Sequence, residues 1–245
     1  MTARLDRRRV TLADGRETTV LVAAYPLARI GLRLAAMAHE QPLEEWCARE
    51  GVSDALSGGY ATKPGYEPLG ELWIGGKAIS HCPFAHGYDR VRGALLIADG
   101  GVRLDHRDRL PLRPDGDLLQ AGPLLVRDGV SAIAGVEDPE GFSETCEEFD
   151  QDLTASREPR LAIAVAGNEL LAVAAQGRAP HDAGMTLWEL ADELVALGAD
   201  SALNLDGGSA GIAIVGGERL NQPRDDDGED METSSPSVTV IVIDA

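Results

Sequence analysis

Apolar and polar residues alternate in short runs along most of this chain. The runs are broken by Asp-Gly or paired glycines, the pattern that β-hairpins leave in a sequence. Arg9 to Leu12 and Thr18 to Val22 flank Asp14-Gly15, and Glu71 to Ile79 turns at Gly75-Gly76. Ala94 to Ala98 and Val102 to Leu104 flank Gly100-Gly101, and Gly122 to Val126 runs into Asp128-Gly129-Val130. Arg160 to Val165 and Glu169 to Ala175 flank Gly167-Asn168. Tyr25 to Met37 reads as a further strand pair, Asp54 to Ser57 as a strand entering Gly58-Gly59, and Ser237 to Ile243 as a closing strand. Residues 105–120, charged and proline-bearing, read as a loop.

A helical period shows in two places. Pro42 to Glu50 opens on proline, carries Glu44 and Glu45 in its first turn and is followed by Gly51. Thr186-Leu187-Trp188-Glu189 has the form of a capping box. Behind it Leu187, Leu190, Ala191, Leu194 and Val195 share one face, and Gly198 ends the helix. The expected fold is α+β, largely antiparallel β-sheet built from hairpins with a few packed helices. The chain reads as a single domain, 1–245, with an N-terminal half (1–136), an acidic, mobile connector (137–158) and a second half (159–245).

The second half contains the most informative stretch, Ala202 to Val215. Leu203 and Leu205 point one way and Asn204 and Asp206 the other, before Gly207-Gly208 and an apolar run from Ile212 to Val215. The plain reading is a hairpin turning at Asp206-Gly207-Gly208. Two features mark it also as a site. An amide and a carboxylate lie side by side on one face of an otherwise apolar strand, where unpartnered burial is costly. Gly207, Gly208 and Ser209 then offer backbone N–H groups able to hold an anionic oxygen.

Charge narrows the function classes. The 245 residues carry 41 acidic against 22 basic side chains, a net charge of −19, which argues against nucleic acid and anionic membranes as partners. Cys47, Cys82 and Cys146 show no paired spacing and read as reduced thiols of a cytoplasmic protein. The basic start, Met1 to Val10, is not followed by the apolar stretch and cleavage site of a signal sequence, and no run reaches the roughly 18 apolar residues of a membrane span. His81-Cys82 with His86 lacks the second ligand pair of a zinc site, and Asp225 to Asp230 lacks the spacing of a calcium loop. Neither a metal nor an organic cofactor is expected, and the acidic loop reads as solvated and flexible.

Several short motifs, in order, resemble the phosphodiester glycosidase family. They are Ser57-Gly58-Gly59-Tyr60, Pro68-x-Gly70 with Gly76-Lys77, and Gly122-Pro123-Leu124 with Asp128-Gly129. Arg160-x-Ala162-Ile163, Gly177-Arg178, Gly184-Met185-Thr186-Leu187, Asn204 to Gly208 and Asn221-x-Pro223 follow. The likeness spans residues 50 to 243. It departs from the family at Ser57, where the family has Asn, at Leu161, where it has Thr, and at Ser209-Ala210-Gly211, where it has Gly-Ser-Ser.

The resemblance implies hydrolysis of a small-molecule glycosyl phosphodiester at the anomeric C–O bond, giving free sugar and a phosphate monoester. Such a transition state is oxocarbenium-like and is served by a nearby carboxylate, for which Asp206 is the candidate, with Asn204 beside it. Arg160 and Arg178, at the two ends of one hairpin, are expected to converge on the phosphate and to leave the fold alone. Ser57, Gly58, Gly59, Asp182, Gly207, Gly208 and Ser209 are the expected substrate-binding residues. The alternative is a divergent, non-catalytic member that binds a sugar phosphate or a protein partner.

Overall fold

Backbone pairing gathers the strands into three antiparallel sheets. The computed structural model describes residues 3–85, 87–133, 139–142 and 153–245. The chain opens with β1 (Arg4–Thr11), β2 (Glu17–Pro26), β3 (Gly31–Gln41), helix α1 (Leu43–Glu50) and β4 (Ala55–Ser57). Then come β5 (Leu72–Ile74), β6 (Lys77–Ala78), β7 (Gly93–Ala98), β8 (Gly101–His106), β9 (Asp117–Gln120), β10 (Leu124–Arg127) and β11 (Val130–Ser131). The second half holds β12 (Arg160–Ala166), β13 (Glu169–Ala175), helix α2 (Leu187–Ala196) and β14 (Ser201–Asn204). It closes with β15 (Ala213–Val215), β16 (Glu218–Arg219) and β17 (Ser237–Asp244). The α+β expectation holds, and every strand pairing in the sheets is antiparallel.

The largest sheet runs β1-β2-β13-β12-β14-β10-β11 and is covered on both faces. Along β12, Leu161 and Ile163 point into the central core, where the three sheets meet. Ala162 and Ala164 point the other way, and their small side chains let α2 approach with Leu187, Leu190, Ala191 and Leu194. The capping box forms: Thr186 accepts from the Glu189 N–H, and the Glu189 carboxylate accepts from the Thr186 N–H. The second sheet, β16-β15-β4-β17-β3, repeats the plan: Ile241 and Ile243 face the central core, and Val240 and Val242 face α1 through Leu43, Trp46 and Cys47. The third sheet, β6-β5-β9-β7-β8, adds Leu72, Leu95 and Leu119 to the central core. Among the described residues no helix is long and apolar enough to cross a membrane.

Three expectations are revised. Tyr25 to Met37 does contain strands, but β2 lies in the first sheet and β3 in the second, so they do not pair. Residues 105–120 are not all loop: Asp117–Gln120 is a strand between β5 and β7, anchored by Leu118 and Leu119. Asp206-Gly207-Gly208 is not a hairpin turn, because β14 pairs with β10 and β12 while β15 pairs with β4 and β16. The stretch crosses from one sheet to another. Of the acidic connector, 137–138 and 143–152, Cys146 among them, lie outside the described residues, as do His86 and residues 134–136. The described part is anchored by buried Glu140, whose carboxylate accepts from the N–H groups of Gly93 (2.6 Å) and Leu124 (2.7 Å).

Glu140 also meets His106 Nε2 at 3.2 Å, and this contact, reinforced by Asp105 and Asp108, holds the imidazole pKa above its usual value. A raised histidine pKa stabilises the fold below the unfolded value and loses that contribution as pH climbs through the folded one. Thermal midpoints should therefore fall between about pH 6 and about pH 8 in the wild type. His106→Gln should flatten that slope, and equal slopes in both proteins would remove the pair from the pH response.

Candidate active site

Where the chain leaves the first sheet, β14 ends at Asn204 and the backbone is handed across the seam. The Leu205 N–H donates to the Leu161 carbonyl (2.9 Å) in the first sheet, and the Asp206 N–H to the Gly58 carbonyl (3.1 Å) beside the second. The Gly208 N–H donates back to Pro159 (2.9 Å). Gly58 must lack a side chain, since a Cβ there would lie 2.4 Å from Thr239 Oγ1. Gly208 has φ +59°, the left-handed backbone that glycine adopts without strain.

This crossing floors a cavity of about 510 Å³. Tyr60, Asn204, Leu205 and Asp206 lie at the seam, with Arg160, Gly207, Gly208 and Ser209 around them. Lys63, Tyr66, Glu158, Arg178, Asp225 and Asp226 form further wall. Asn204 is buried, and its Nδ2 donates to the Tyr60 hydroxyl (2.8 Å) and the Gly122 carbonyl (3.0 Å). The Tyr60 hydroxyl in turn donates to Gly122 (2.6 Å). With Nδ2 so committed, the amide is oriented, and its buried Oδ1 has no hydrogen-bond partner among the described residues. A buried acceptor left open costs about 1–3 kcal/mol, a cost that a ligand hydroxyl would remove.

Asp206 is the titrating group of the site. Burial pushes its carboxyl up to about 7, against smaller opposing effects from the Gly207 N–H, bonded to Oδ1 at 2.9 Å, and from Lys63. Burial and the Asp206 charge also drive the Tyr60 phenol upward, so it stays a neutral donor. Near neutral pH Asp206 therefore exists in both forms, the condition a proton-transfer group needs.

The arginines depart from expectation. Both line the cavity, but Arg160 is buried and donates from Nε to Met185 O (2.9 Å) and from Nη2 to Ser156 O (2.6 Å). It thus ties β12 to two neighbouring segments and has a role in the fold. Arg178 meets Glu158 (2.7 Å), the Arg224 carbonyl (3.1 Å) and Asp226 (2.9 Å). Its positive charge faces carboxylates at both ends of the guanidinium. Asp225 to Asp230, expected to be a loose loop, is a hydrogen-bonded turn: Asp225 Oδ1 accepts from the N–H groups of Asp227 (3.0 Å) and Glu229 (2.9 Å), and Asp230 pairs with Arg224.

Four predicted binding residues do not line the cavity. Ser57 is fully buried; its hydroxyl donates to Ala210 O (2.6 Å) and accepts from the Ile212 N–H (3.2 Å), bracing the crossing from behind. Gly58 and Gly59 pack against Thr239 and serve the same support. Asp182 lies elsewhere: it accepts from Thr19 N (2.7 Å) and Arg9 (2.8 Å), fastening the 179–182 segment to the β1–β2 hairpin. Of the residues placed in the site by sequence, Asp206, Asn204, Arg160, Arg178, Gly207, Gly208 and Ser209 come together. Lys63, Tyr66 and Glu158 were missed, since nothing in their local spacing points to the seam.

Among the described residues no group of three His, Cys, Asp or Glu side chains is arranged to hold a metal ion. A second hollow, of about 410 Å³, lies between Leu27 to Leu32 and the β7–β8 turn and contains none of the predicted site residues.

Truncating Arg160 should register in stability, because it strands the Met185 and Ser156 carbonyls. Arg160→Ala is expected to lower the unfolding free energy by about 2 kcal/mol or more. Urea denaturation checks this, and a wild-type midpoint in the variant would return Arg160 to a purely ligand-facing role.

The comparisons with known proteins agree with this architecture. A hypothetical protein from Synechocystis superposes with a TM-score of 0.75 at 18% identity, covering 99% of this chain and 62% of that one. The chain thus spans less than two thirds of that relative. The catalytic domain of zebrafish N-acetylglucosamine-1-phosphodiester α-N-acetylglucosaminidase, auto-inhibited by its pro-peptide, superposes with a TM-score of 0.73, also at 18% identity. That match covers 99% of this chain and 83% of the zebrafish domain. No curated protein matches in sequence. The phosphodiester glycosidase family model matches residues 50–242, the segment holding both sides of the seam and all the cavity residues named above, and the chain belongs to that family.

Proposed function

We propose that this protein hydrolyses the glycosidic bond of a sugar-1-phosphodiester, releasing free sugar and a phosphate monoester. The observation that carries the reading is the pairing of Asp206, with its raised pKa, and the open acceptor of Asn204 in one cavity. Family membership and the likeness to the zebrafish catalytic domain support it.

In this reading a sugar hydroxyl donates to Asn204 Oδ1 and holds the ring over Asp206. The bond from the anomeric carbon to the bridging oxygen breaks, and the electron pair leaves with the phosphate. The Asp206 carboxylate opposes the positive charge growing on the ring, and a base of pKa near 7 accepts the proton of the attacking water. Water oxygen ends on the sugar, and the bridging oxygen ends on the monoester. The leaving phosphate is already an anion and needs little acid assistance.

The test is release of free sugar from UDP-N-acetylglucosamine and related sugar-1-phosphodiesters by the purified protein. The active form is the carboxylate, so kcat/KM should rise with pH through about 7. Asp206→Asn should lower it by about 100-fold or more. The same change should raise the melting temperature at about pH 8 and not at about pH 5, because a carboxyl whose folded pKa is raised costs stability once ionised. Binding of sugar phosphates without turnover in the wild type would select the non-catalytic alternative instead.

A further inference from the structure

The charges that line the cavity are not equally available to a ligand. Arg160 sits in the buried wall with two of its nitrogens on backbone carbonyls. Arg178 is held between Glu158 and Asp226, whose own side chain is almost wholly exposed at the mouth. Lys63 differs from both. It lines the same cavity and is exposed, and among the described residues it makes neither a hydrogen bond nor an ion pair. Its charge already acts on Asp206 across the cavity.

The backbone that carries Lys63 is fixed even though the side chain is not. Ala61 pairs with Pro68, and the Leu69 N–H donates to Tyr60 O (2.8 Å). Inside that bridge the Thr62 N–H donates to Glu67 O (2.9 Å) and the Tyr66 N–H to Thr62 O (3.0 Å). The turn leaves Tyr60, the partner of Asn204, at its base and Lys63 at its tip. A four-carbon ammonium on a held turn can reach for an anion at little cost to the fold.

We propose that Lys63 is the phosphate-binding residue of this site, and that it orients the substrate with its sugar at the seam and its phosphate toward the mouth. The inference rests on the hydrolytic reading for the word substrate, but the binding claim stands apart from turnover. The floor offers an open hydroxyl acceptor, Asn204 Oδ1, and a carboxyl, Asp206, neither of which suits a phosphate. The rim offers an uncommitted cation. In a chain with a net charge of −19, that local charge decides which end of an anionic ligand stays outside. Asp226 on Arg178 is then a fixed lining charge of the mouth and does not give way to the phosphate.

The experiment measures two things for wild type, Lys63→Ala, Lys63→Arg and Asp226→Asn. Calorimetry gives the affinity for α-N-acetylglucosamine 1-phosphate at low and high salt. Kinetics give the ratio of kcat/KM for UDP-N-acetylglucosamine to that for neutral para-nitrophenyl α-N-acetylglucosaminide. Lys63→Ala should weaken sugar phosphate binding by about tenfold or more, lower the ratio by a similar factor and reduce the salt dependence. Lys63→Arg should restore most of each. Unchanged affinity in Lys63→Ala, or tighter binding in Asp226→Asn alone, would overturn the proposal and give the phosphate to Arg178. A wild type that does not bind the sugar phosphate would overturn it too. Binding that depends on Lys63 without turnover would sustain it while the hydrolytic reading falls.

Discussion

The seam between the first two sheets governs the rest of this structure. Adjacent sheets share a core but no ladder, so the chain that passes between them must satisfy its backbone groups singly. Here Leu205 is bonded to one sheet, and Asp206 and Gly208 to the strand edges on either side. Those bonds fix the backbone that carries the buried Asn204 and the half-buried Asp206 at the edge of the cavity. The result is an oriented amide with an open oxygen and a carboxyl pushed up to about 7. Polar groups held in surroundings that do not fully solvate them are a common source of reactivity.

The cavity at the seam is lined by cations and carboxylates together. Each arginine in the wall is matched, Arg160 by carbonyl dipoles and Arg178 by carboxylates. The matching fixes the wall geometrically. Lys63, exposed on the same wall, differs from both arginines in making neither a hydrogen bond nor an ion pair among the described residues.

Much of the fold was legible because hairpins and helix caps are local. Asp14-Gly15, Gly75-Gly76 and Gly167-Asn168 each turn a strand onto its neighbour, and Thr186 with Glu189 closes the capping box as read. Asp206-Gly207-Gly208 has the same local signature and a different outcome. Whether two strands flanking a glycine turn pair with each other is settled by what else covers their edges, and β10, β12, β4 and β16 had already taken those edges. Strand β9 was hidden for a related reason, since four residues after a proline-bearing stretch give too short a period to read. Arg92 and Glu140 were hidden more deeply. Each is a charged residue wholly buried, Arg92 against the rings of Phe84 and Phe142 and Glu140 on two backbone N–H groups. No periodicity marks a charge whose partners lie in other segments. In the site, the same logic divides Asp206, visible by its motif, from Lys63, visible only once the turn is built.

The departures from the family's motifs take on a physical sense in this frame. Ser57 stands where an amide is usual, yet it does not face the cavity; its hydroxyl both donates to and accepts from the backbone of the crossing. Ser209 spends its hydroxyl on Ser235 at 2.7 Å, fastening the far side of the same loop to the segment before β17. Gly211 lies where a Cβ would come within 2.6 Å of the Asp206 carbonyl, so a serine there would need a different loop path. Ser57 and Gly211 thus belong to the support behind the crossing, while Ser209 and Ala210 line the cavity beside Gly207 and Gly208. The residues that match the motif, Asn204, Asp206, Gly207 and Gly208, all line the cavity. A loop can be re-braced from behind by new hydroxyls without moving its front face, because each brace is a hydrogen bond to backbone and not to the groups that line the cavity. Divergence at Ser57 and Gly211 is thus a change in how the crossing is held, and Asn204 and Asp206 keep their place on the polar face at the seam.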